Sequence, residues 1–559
     1  MVENSLADNE RELRPRTAPK LALGEVVQAI GARTSGDVDG VTISGVCLNS
    51  RAVLPGDLYA ALPGAKRHGA EFVAQAVAAG AVAILTDDDA AARLASEGSL
   101  PAGVLVVSAD NPRQATALAA KFLYGTTPAA PAMFGVTGTN GKTTTTYFLR
   151  ALLNALGHKT GLIGTIEIVA DEEVIPSVLT TPEATQLHGI LARMRESGVT
   201  AAAMEVSSHA IEYRRIEGLH FKVAGFTNLT QDHLDLHGTM EEYFAAKAKL
   251  FTPEFASCGV VLIDSEWGER MAQAARDSGL PVITLATPSG AATVTADWTV
   301  GNVERSGLGH DFTLTHRDGA SLRAHTGLPG DFNVANAALA LTMMVAADLA
   351  PLEEVQRVLD AHDPLSANVP GRMEVVGHEP AAIVDFAHNP DAMVRALEAV
   401  RPGTSGRVIL VFGATGERDQ AKRPIMGAIA ARGADVVIVT DDDPHDEDEQ
   451  TIRTAVLEGV TEEVGAMGPL APEVFEVFPR AEAIKAAVRL AAPEDTILVA
   501  GRGHEVWQEV KGVNLPLDDR VELRAALETV GEHAVGDSAV DHTFVAETAP
   551  EARNGGPAE

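Results

Sequence analysis

Short apolar runs recur along the chain and alternate with segments of helical period. The runs are AMFGV (132–136), TAAAMEV (200–206), VAGF (223–226), GVVLI (259–263), AAIVDF (381–386), RVILVF (407–412), ADVVIV (434–439) and TILVA (496–500). Their length and their spacing by helical text predict an α/β protein with mainly parallel sheets. Between 142 and 156 the apolar positions Phe148, Leu149, Leu152, Leu153 and Leu156 form one stripe, which predicts an amphipathic helix. Open parallel sheets bind ligands beyond the carboxyl ends of their strands. The text after the runs is polar and rich in glycine: TGTNGK, TNLTQDHLD, AHNPD, GATGERD, TDDDPHDED and GRGHE.

The Pro/Ala-rich stretch YGTTPAAPA near 128 and HDPLSANVPGR near 365 read as boundaries. They predict an N-terminal domain over 19–128, a central domain over 129–364 and a C-terminal domain over 365–534. Residues 1–18 and 535–559 are polar, small-residue text and are expected to be disordered.

Charge narrows the partners. With 44 basic and 77 acidic side chains the formal net charge is −33, which disfavours nucleic acid and anionic membrane. No apolar stretch reaches the length of a membrane span, and the polar start MVENSLADNERELRPRTAPK is not a secretory signal. Two distant cysteines, Cys47 and Cys258, suit a reducing cytoplasm. Small-molecule substrates and a monomer are expected.

GVTGTNGKTTTT (135–146) carries the clearest chemistry. It follows a strand and opens a helix, as a phosphate-binding loop does, but Val136 stands where the common G-x-x-x-x-G-K-[ST] spacing has glycine. The backbone of Gly138, Thr139, Asn140 and Gly141 would cradle phosphates, Lys142 would reach the terminal ones, and the Thr143 hydroxyl would face Mg²⁺. Glu205 ends the run TAAAMEV, where an unpaired carboxylate is costly, so a cation beside it is expected.

GTNGKT after strand text resembles the Mur ligase superfamily, whose own loop has this spacing; the likeness extends from about 40 to about 525. It implies a three-domain Mur ligase architecture, with a central P-loop ATPase domain and a C-terminal Rossmann-like domain. It also implies ATP as co-substrate and Mg²⁺ as cofactor. By the same resemblance His233 of QDHLD is a ligand for a second Mg²⁺, and Lys247 of AAKAK becomes an N6-carboxylysine that helps to hold it. Thr143 and Glu205 complete the metal set. Asn333 and Asn336 of FNVAN lie near the adenine, although spacing alone also allows helix caps. Arg372 of PGRMEVV comes to the γ-phosphate, and Asp385 and His388 of VDFAHNPD lie near the ribose and phosphates.

Three stretches resemble the MurE type within the superfamily. LNSRAVLPGDLYAALPG resembles its uridine-nucleotide domain, with Asn49 in place of the usual Asp and Ser50 retained as a contact. TTPEA and SSHAIEYRR imply that Thr180, Thr181, Ser207 and Arg215 hold a muramoyl-dipeptide; Tyr213 stands where glutamine is usual. GATGERDQ, TDDDPHDED and GRGHE imply an amino-acid pocket of Arg418, Asp442, Asp443, His445, Gly501 and Glu505. The implied reaction extends UDP-MurNAc-L-Ala-D-Glu by a diamino acid through an acyl phosphate, in peptidoglycan synthesis. Members that add meso-diaminopimelate carry DNPR, whose Arg grips the distal carboxylate. Here the text is Asp442-Asp443-Pro444-His445, and a mostly neutral His is a poor clamp. L-Lysine or L-ornithine is therefore expected over meso-diaminopimelate. A folylpolyglutamate synthase would lack the uridine-domain text, and a P-loop switch or motor would not need the acidic and basic strand-end text of the last domain.

Overall fold

The computed structural model describes residues 2–533 apart from 65–66, 98–99, 102, 128–130, 233, 289, 291–294, 418 and 469–470. His233 and Arg418, and the acidic tail 535–559, lie outside the described residues.

Three mainly parallel sheets follow one another along the chain. The first has five strands, Arg33–Thr34, Leu105–Ser108, Ala83–Thr86, Asp57–Ala60 and Gly45–Cys47 in spatial order, with only the first antiparallel to its neighbour. The central sheet has eleven strands. Its middle is parallel and places Ala132–Thr137 between Ala201–Glu205 and Val223–Phe226. An antiparallel meander, Trp298–Ser306, Gly309–His316 and Ser321–Thr326, extends one edge. The third sheet has six strands; Ala381–Asp385, Thr496–Ala500, Val408–Phe412 and Val436–Val439 are parallel neighbours at its centre. All eight apolar runs lie in strands. The meander and the hairpin Glu167–Ala170/Glu173–Pro176 were not among the predicted elements. Their inward residues alternate with polar ones, a weaker signal than a continuous apolar run.

The predicted helix is Lys142–Ala155. Phe148, Leu149, Leu152 and Leu153 are fully buried and Leu156 packs against the same core. Each such side chain contributes about 1.5–3 kcal/mol on burial, so the stripe pins the helix to the sheet and fixes the loop before it.

The N-terminal expectation is corrected. Residues of the supposedly disordered start form a helix, Val2–Glu12, with Ala7 and Leu13 buried. Arg14 makes two bonds of 2.8 and 2.7 Å to the buried Asp57 carboxylate of the first sheet. Backbone N–H groups of Arg16 and Thr17 donate to Glu196 of the central domain at 2.7 and 2.9 Å. Composition indicated disorder because the segment has too few apolar residues for a core of its own; what orders it is charge pairing with two domains distant in sequence.

Candidate active site

Gly141 caps the helix Lys142–Ala155 in a left-handed conformation, φ 88°, and contributes no side-chain cap. First-turn N–H groups are thus left facing the cleft, where an anion would satisfy them. A methyl on Gly141 would meet Asn336 Oδ1 at 2.3 Å, and one on Gly138 would meet Thr227 Oγ1 at 1.8 Å. The shortened loop is therefore packed against its neighbours at both glycines.

Two lysines converge on this loop. Lys142 Nζ donates to the carbonyls of Gly138 at 3.0 Å and Thr139 at 2.8 Å. Lys247, buried on the helix Met240–Ala248, also donates to the Gly138 carbonyl at 3.0 Å. Burial lowers the Lys142 pKa. Burial first, and then the Lys142 charge, push that of Lys247 well below its ordinary value. Two ammonium groups on one carbonyl repel in a poorly solvated place, which disfavours the charged form of Lys247.

Glu205, buried at its strand end, accepts from Thr143 Oγ1 at 3.0 Å, from Thr165 N–H at 2.8 Å and from Thr165 Oγ1 at 3.0 Å. These partners are hydroxyl and amide donors. A carboxylate beside a hydroxyl is a hard oxygen set, which suits Mg²⁺. Thr181 Oγ1 donates to the Glu205 backbone carbonyl at 2.9 Å and accepts from Ser207 N–H at 3.1 Å. Arg215 bonds the Thr181 carbonyl at 3.0 Å and pairs with Glu183 at 2.8 Å. Thr180 Oγ1 is 3.1 Å from Thr165 Oγ1. These residues thus form one shell next to Glu205. Ser207 also caps the helix Ser208–Glu212. Ser50 lies apart in the first domain, bonded to Gln75 at 2.9 Å.

The C-terminal domain supplies the other wall. A cleft of about 590 Å³, measured with its open mouth, is lined by Asn140, Gly141 and Thr143 on one side and Arg372, Asp385 and His388 on the other. Asn333 and Asn336 also line it. Asn333 bonds the Pro329 carbonyl at 2.7 Å, and Asn336 bonds Asn333 at 3.1 Å; neither is the cap of its helix, which is Gly330. Asn140 reaches across to Asp391 at 3.0 Å, tying the loop to the C-terminal domain. Burial lowers the pKa of Arg372 and His388 and raises that of Asp385. Asp385 accepts from Met373 N–H at 2.7 Å, and the Arg372 guanidinium lies 4.2 Å over the Phe386 ring.

A second group sits at strand ends of the third sheet. Ligand oxygens of Asp442, Asp443 and Glu505 all lie within 4.8 Å of one another. Burial, and then the neighbouring carboxylate of Asp442, push Glu505 up to about 8; burial also raises Asp443. Fully buried Arg502 bonds Asp443 and the Trp507 carbonyl. Gly501, φ 116°, leaves room that a methyl would take from Asp442 Oδ2, 2.6 Å away. His445 has a left-handed backbone, φ 52°, and its Nδ1 faces Glu509 at 3.1 Å.

The sequence reading missed Thr165, Asp391, Arg502 and His504. Arg502 and His504 stand in the GRGHE text; Thr165 carried no signal, because its part comes from the fold bringing its loop beside Glu205.

A phosphate-type loop facing a second α/β domain across a shared cleft defines a multidomain nucleotide-dependent enzyme. Three family models match the chain: the Mur ligase family catalytic domain over 42–130, the Mur ligase middle domain over 136–344 and the Mur ligase glutamate ligase domain over 371–503. A "UDP-N-acetylmuramyl-tripeptide synthetase" of Leifsonia xyli is 44% identical over 521 residues, 93% of this chain and 98% of that protein. A "UDP-N-acetylmuramoyl-L-alanyl-D-glutamate--2,6-diaminopimelate ligase" of Streptomyces avermitilis is 44% identical over 92% of this chain and 98% of its own length. A solved structure of a ligase with that second name aligns with TM-score 0.63 and 29% identity, covering 92% of this chain and 99% of that one. MurF from Acinetobacter baumannii, at TM-score 0.60 and 18% identity, shares the fold. The chain belongs to the Mur ligase family, with its three-domain architecture. It is an ATP-dependent ligase that forms an amide bond between a carboxylate and an amino acid.

Proposed function

We propose that this chain joins L-lysine, or L-ornithine, to the carboxylate of UDP-MurNAc-L-Ala-D-Glu, using ATP. The carboxylate attacks the γ-phosphorus, ADP leaves and an acyl phosphate forms. The amino acid's neutral amine then attacks the acyl carbon; phosphate leaves, the amine loses a proton, and the amide remains.

In this reading the loop N–H groups of residues 138–143 hold the phosphates, and Lys142 exchanges its carbonyl partners for phosphate oxygens. Arg372 meets the γ-phosphate from the opposite wall, Asn333 and Asn336 face the adenine, and Asp385 and His388 lie by the ribose and phosphates. Thr143 and Glu205 fit Mg²⁺, together with His233 and Lys247 as its carbamate. When bound, the ion neutralises charge on the transferring phosphoryl group. The neutral amine of Lys247 is the form that reacts with CO₂, and the resulting carbamate places an anion beside Lys142. Thr180, Thr181, Ser207 and Arg215 hold the dipeptide end, and Ser50 contacts the uridine nucleotide.

The observation that carries the choice of amino acid is the Asp442–Asp443–Glu505 group. It favours an ammonium over a second carboxylate, and Arg418 remains for the α-carboxylate. Arg502 is occupied by Asp443, and His445 faces Glu509, so neither side chain stands ready as a distal-carboxylate clamp. Diaminopimelate is the second reading, favoured by the name of the Streptomyces avermitilis relative. Direct binding of L-lysine, L-ornithine and meso-diaminopimelate by calorimetry separates them, with tighter binding of the first two expected; preference for diaminopimelate overturns the choice.

A further inference from the structure

No role above uses His504 of GRGHE, yet it stands where the two domains and the two halves of the site meet. Its position is forced by a close backbone crossing. Gly371 and Gly503 both have left-handed backbones, φ 63° and 55°. A methyl on Gly371 would lie 2.1 Å from Gly503 C and His504 N; one on Gly503 would lie 2.6 Å from the Gly371 carbonyl and 2.8 Å from Phe386 Cβ. Only two glycines allow the loop carrying Arg372 and the loop carrying His504 to touch along their backbones.

The crossing brings side chains together. His504 Nδ1 is 3.4 Å from Arg372 Nη1, and the imidazole lies 5.4 Å from the Phe386 ring that the same guanidinium covers. A guanidinium only donates, so Nδ1 accepts and the proton sits on Nε2. The Thr165 backbone of the central domain lies beside the ring and acts in the sense that favours its protonation. A neutral imidazole accepts from Arg372 and still carries one N–H on its other nitrogen. Burial, with Arg372 and Arg520 nearby, pushes its pKa down to about 3, so this form holds across the working range. Thr165 in turn gives its N–H and hydroxyl to Glu205. One residue further along the chain, Glu505 belongs to the acidic pocket.

We propose that His504 is a positioning residue: it aims Arg372 into the phosphate cleft and registers the C-terminal domain on the Thr165–Glu205 group, linking the acidic amino-acid pocket to the phosphate end of the site. This rests on the reading of Arg372 as a γ-phosphate contact. A guanidinium that loses its orienting acceptor still binds anions but samples more directions, so the loss falls on turnover more than on nucleotide affinity.

The test uses the full chain with ATP, Mg²⁺, the UDP-muramoyl-dipeptide and L-lysine. His504→Ala is expected to lower kcat by about 10- to 100-fold while KM for ATP changes by less than about threefold. His504→Asn keeps an acceptor near the Nδ1 position and is expected to recover most of the kcat. In the His504→Ala/Arg372→Lys double variant the two losses are expected not to multiply, because both act through one guanidinium. Unchanged kcat in His504→Ala, independent multiplication of the losses, or no recovery in His504→Asn overturns the proposal. Melting temperatures and ATP titrations of each variant separate misfolding from mispositioning; a His504→Asn protein that melts like the parent carries the test if His504→Ala does not fold. The underlying ligase reading fails differently: the unmodified enzyme then shows no amino-acid-dependent turnover at all.

Discussion

Lys142 and Lys247 donate to the same Gly138 carbonyl, and that crowding has a chemical consequence. Burial and the neighbouring ammonium disfavour the charged form of Lys247, and the proposed reading makes its amine the one that takes up CO₂. Lys247→Ala is expected to lower ligase turnover by roughly 100-fold or more, with partial recovery on adding a short carboxylic acid that restores the anion. A variant with near-parent turnover would remove Lys247 from the site. Glu505 offers a second test. Its carboxyl is raised from 4.5 to about 8, so at neutral pH the free enzyme holds it mostly protonated. An arriving ammonium favours the carboxylate, so binding releases a proton and tightens from pH 6 towards pH 8. Calorimetry in buffers of different ionisation enthalpy reads that proton directly; a buffer-independent heat would contradict it. For folding the sign is the opposite. A raised carboxyl pKa stabilises the fold fully below about 4.5, and that contribution is lost as pH rises through about 8. Glu505→Gln is therefore expected to gain stability relative to the parent at pH 8.5 and not at pH 4, while losing affinity for the amino acid.

The elements that place these residues were the legible part of the sequence. Parallel strands buried on both faces read as continuous apolar runs, so all eight runs named a strand and the polar text after them marked the cleft. The helix Lys142–Ala155 was legible because four of its five stripe residues are fully buried. What the sequence hid were contacts between elements. Nothing at Thr165 signals a donor to Glu205, and nothing in PGR or GRG says that these glycines touch. Gly371 gives that contact a measurable cost. Gly371→Ala places a methyl against Gly503 and His504 backbone atoms in a left-handed conformation. A loss of about 1–3 kcal/mol in unfolding free energy is expected, with a larger fractional loss of turnover. Denaturation at parent stability would show that the two loops are free to separate.

Across the whole molecule the N-terminal segment was misread as disordered because its order comes from partners in two other domains. Arg14 and Asp57 form a largely buried pair, with side-chain exposures of 15% and 0%. Asp57→Ala leaves the guanidinium without its partner and is expected to cost about 3 kcal/mol. Limited proteolysis of that variant should then cut near residues 12–18 first; continued protection there would mean that the contacts to Glu196, Glu173 and Arg193 hold the segment without the Arg14–Asp57 pair. No described helix is long and apolar enough to cross a membrane. The central claim concerns the cleft between the two larger domains and the acidic pocket beside it. Phosphate release from ATP, with UDP-MurNAc-L-Ala-D-Glu present and L-lysine, L-ornithine or meso-diaminopimelate added one at a time, tests it most directly. Turnover with L-lysine or L-ornithine and little with diaminopimelate is the expected result; turnover with diaminopimelate alone would contradict the choice of an amino acid without a distal carboxylate.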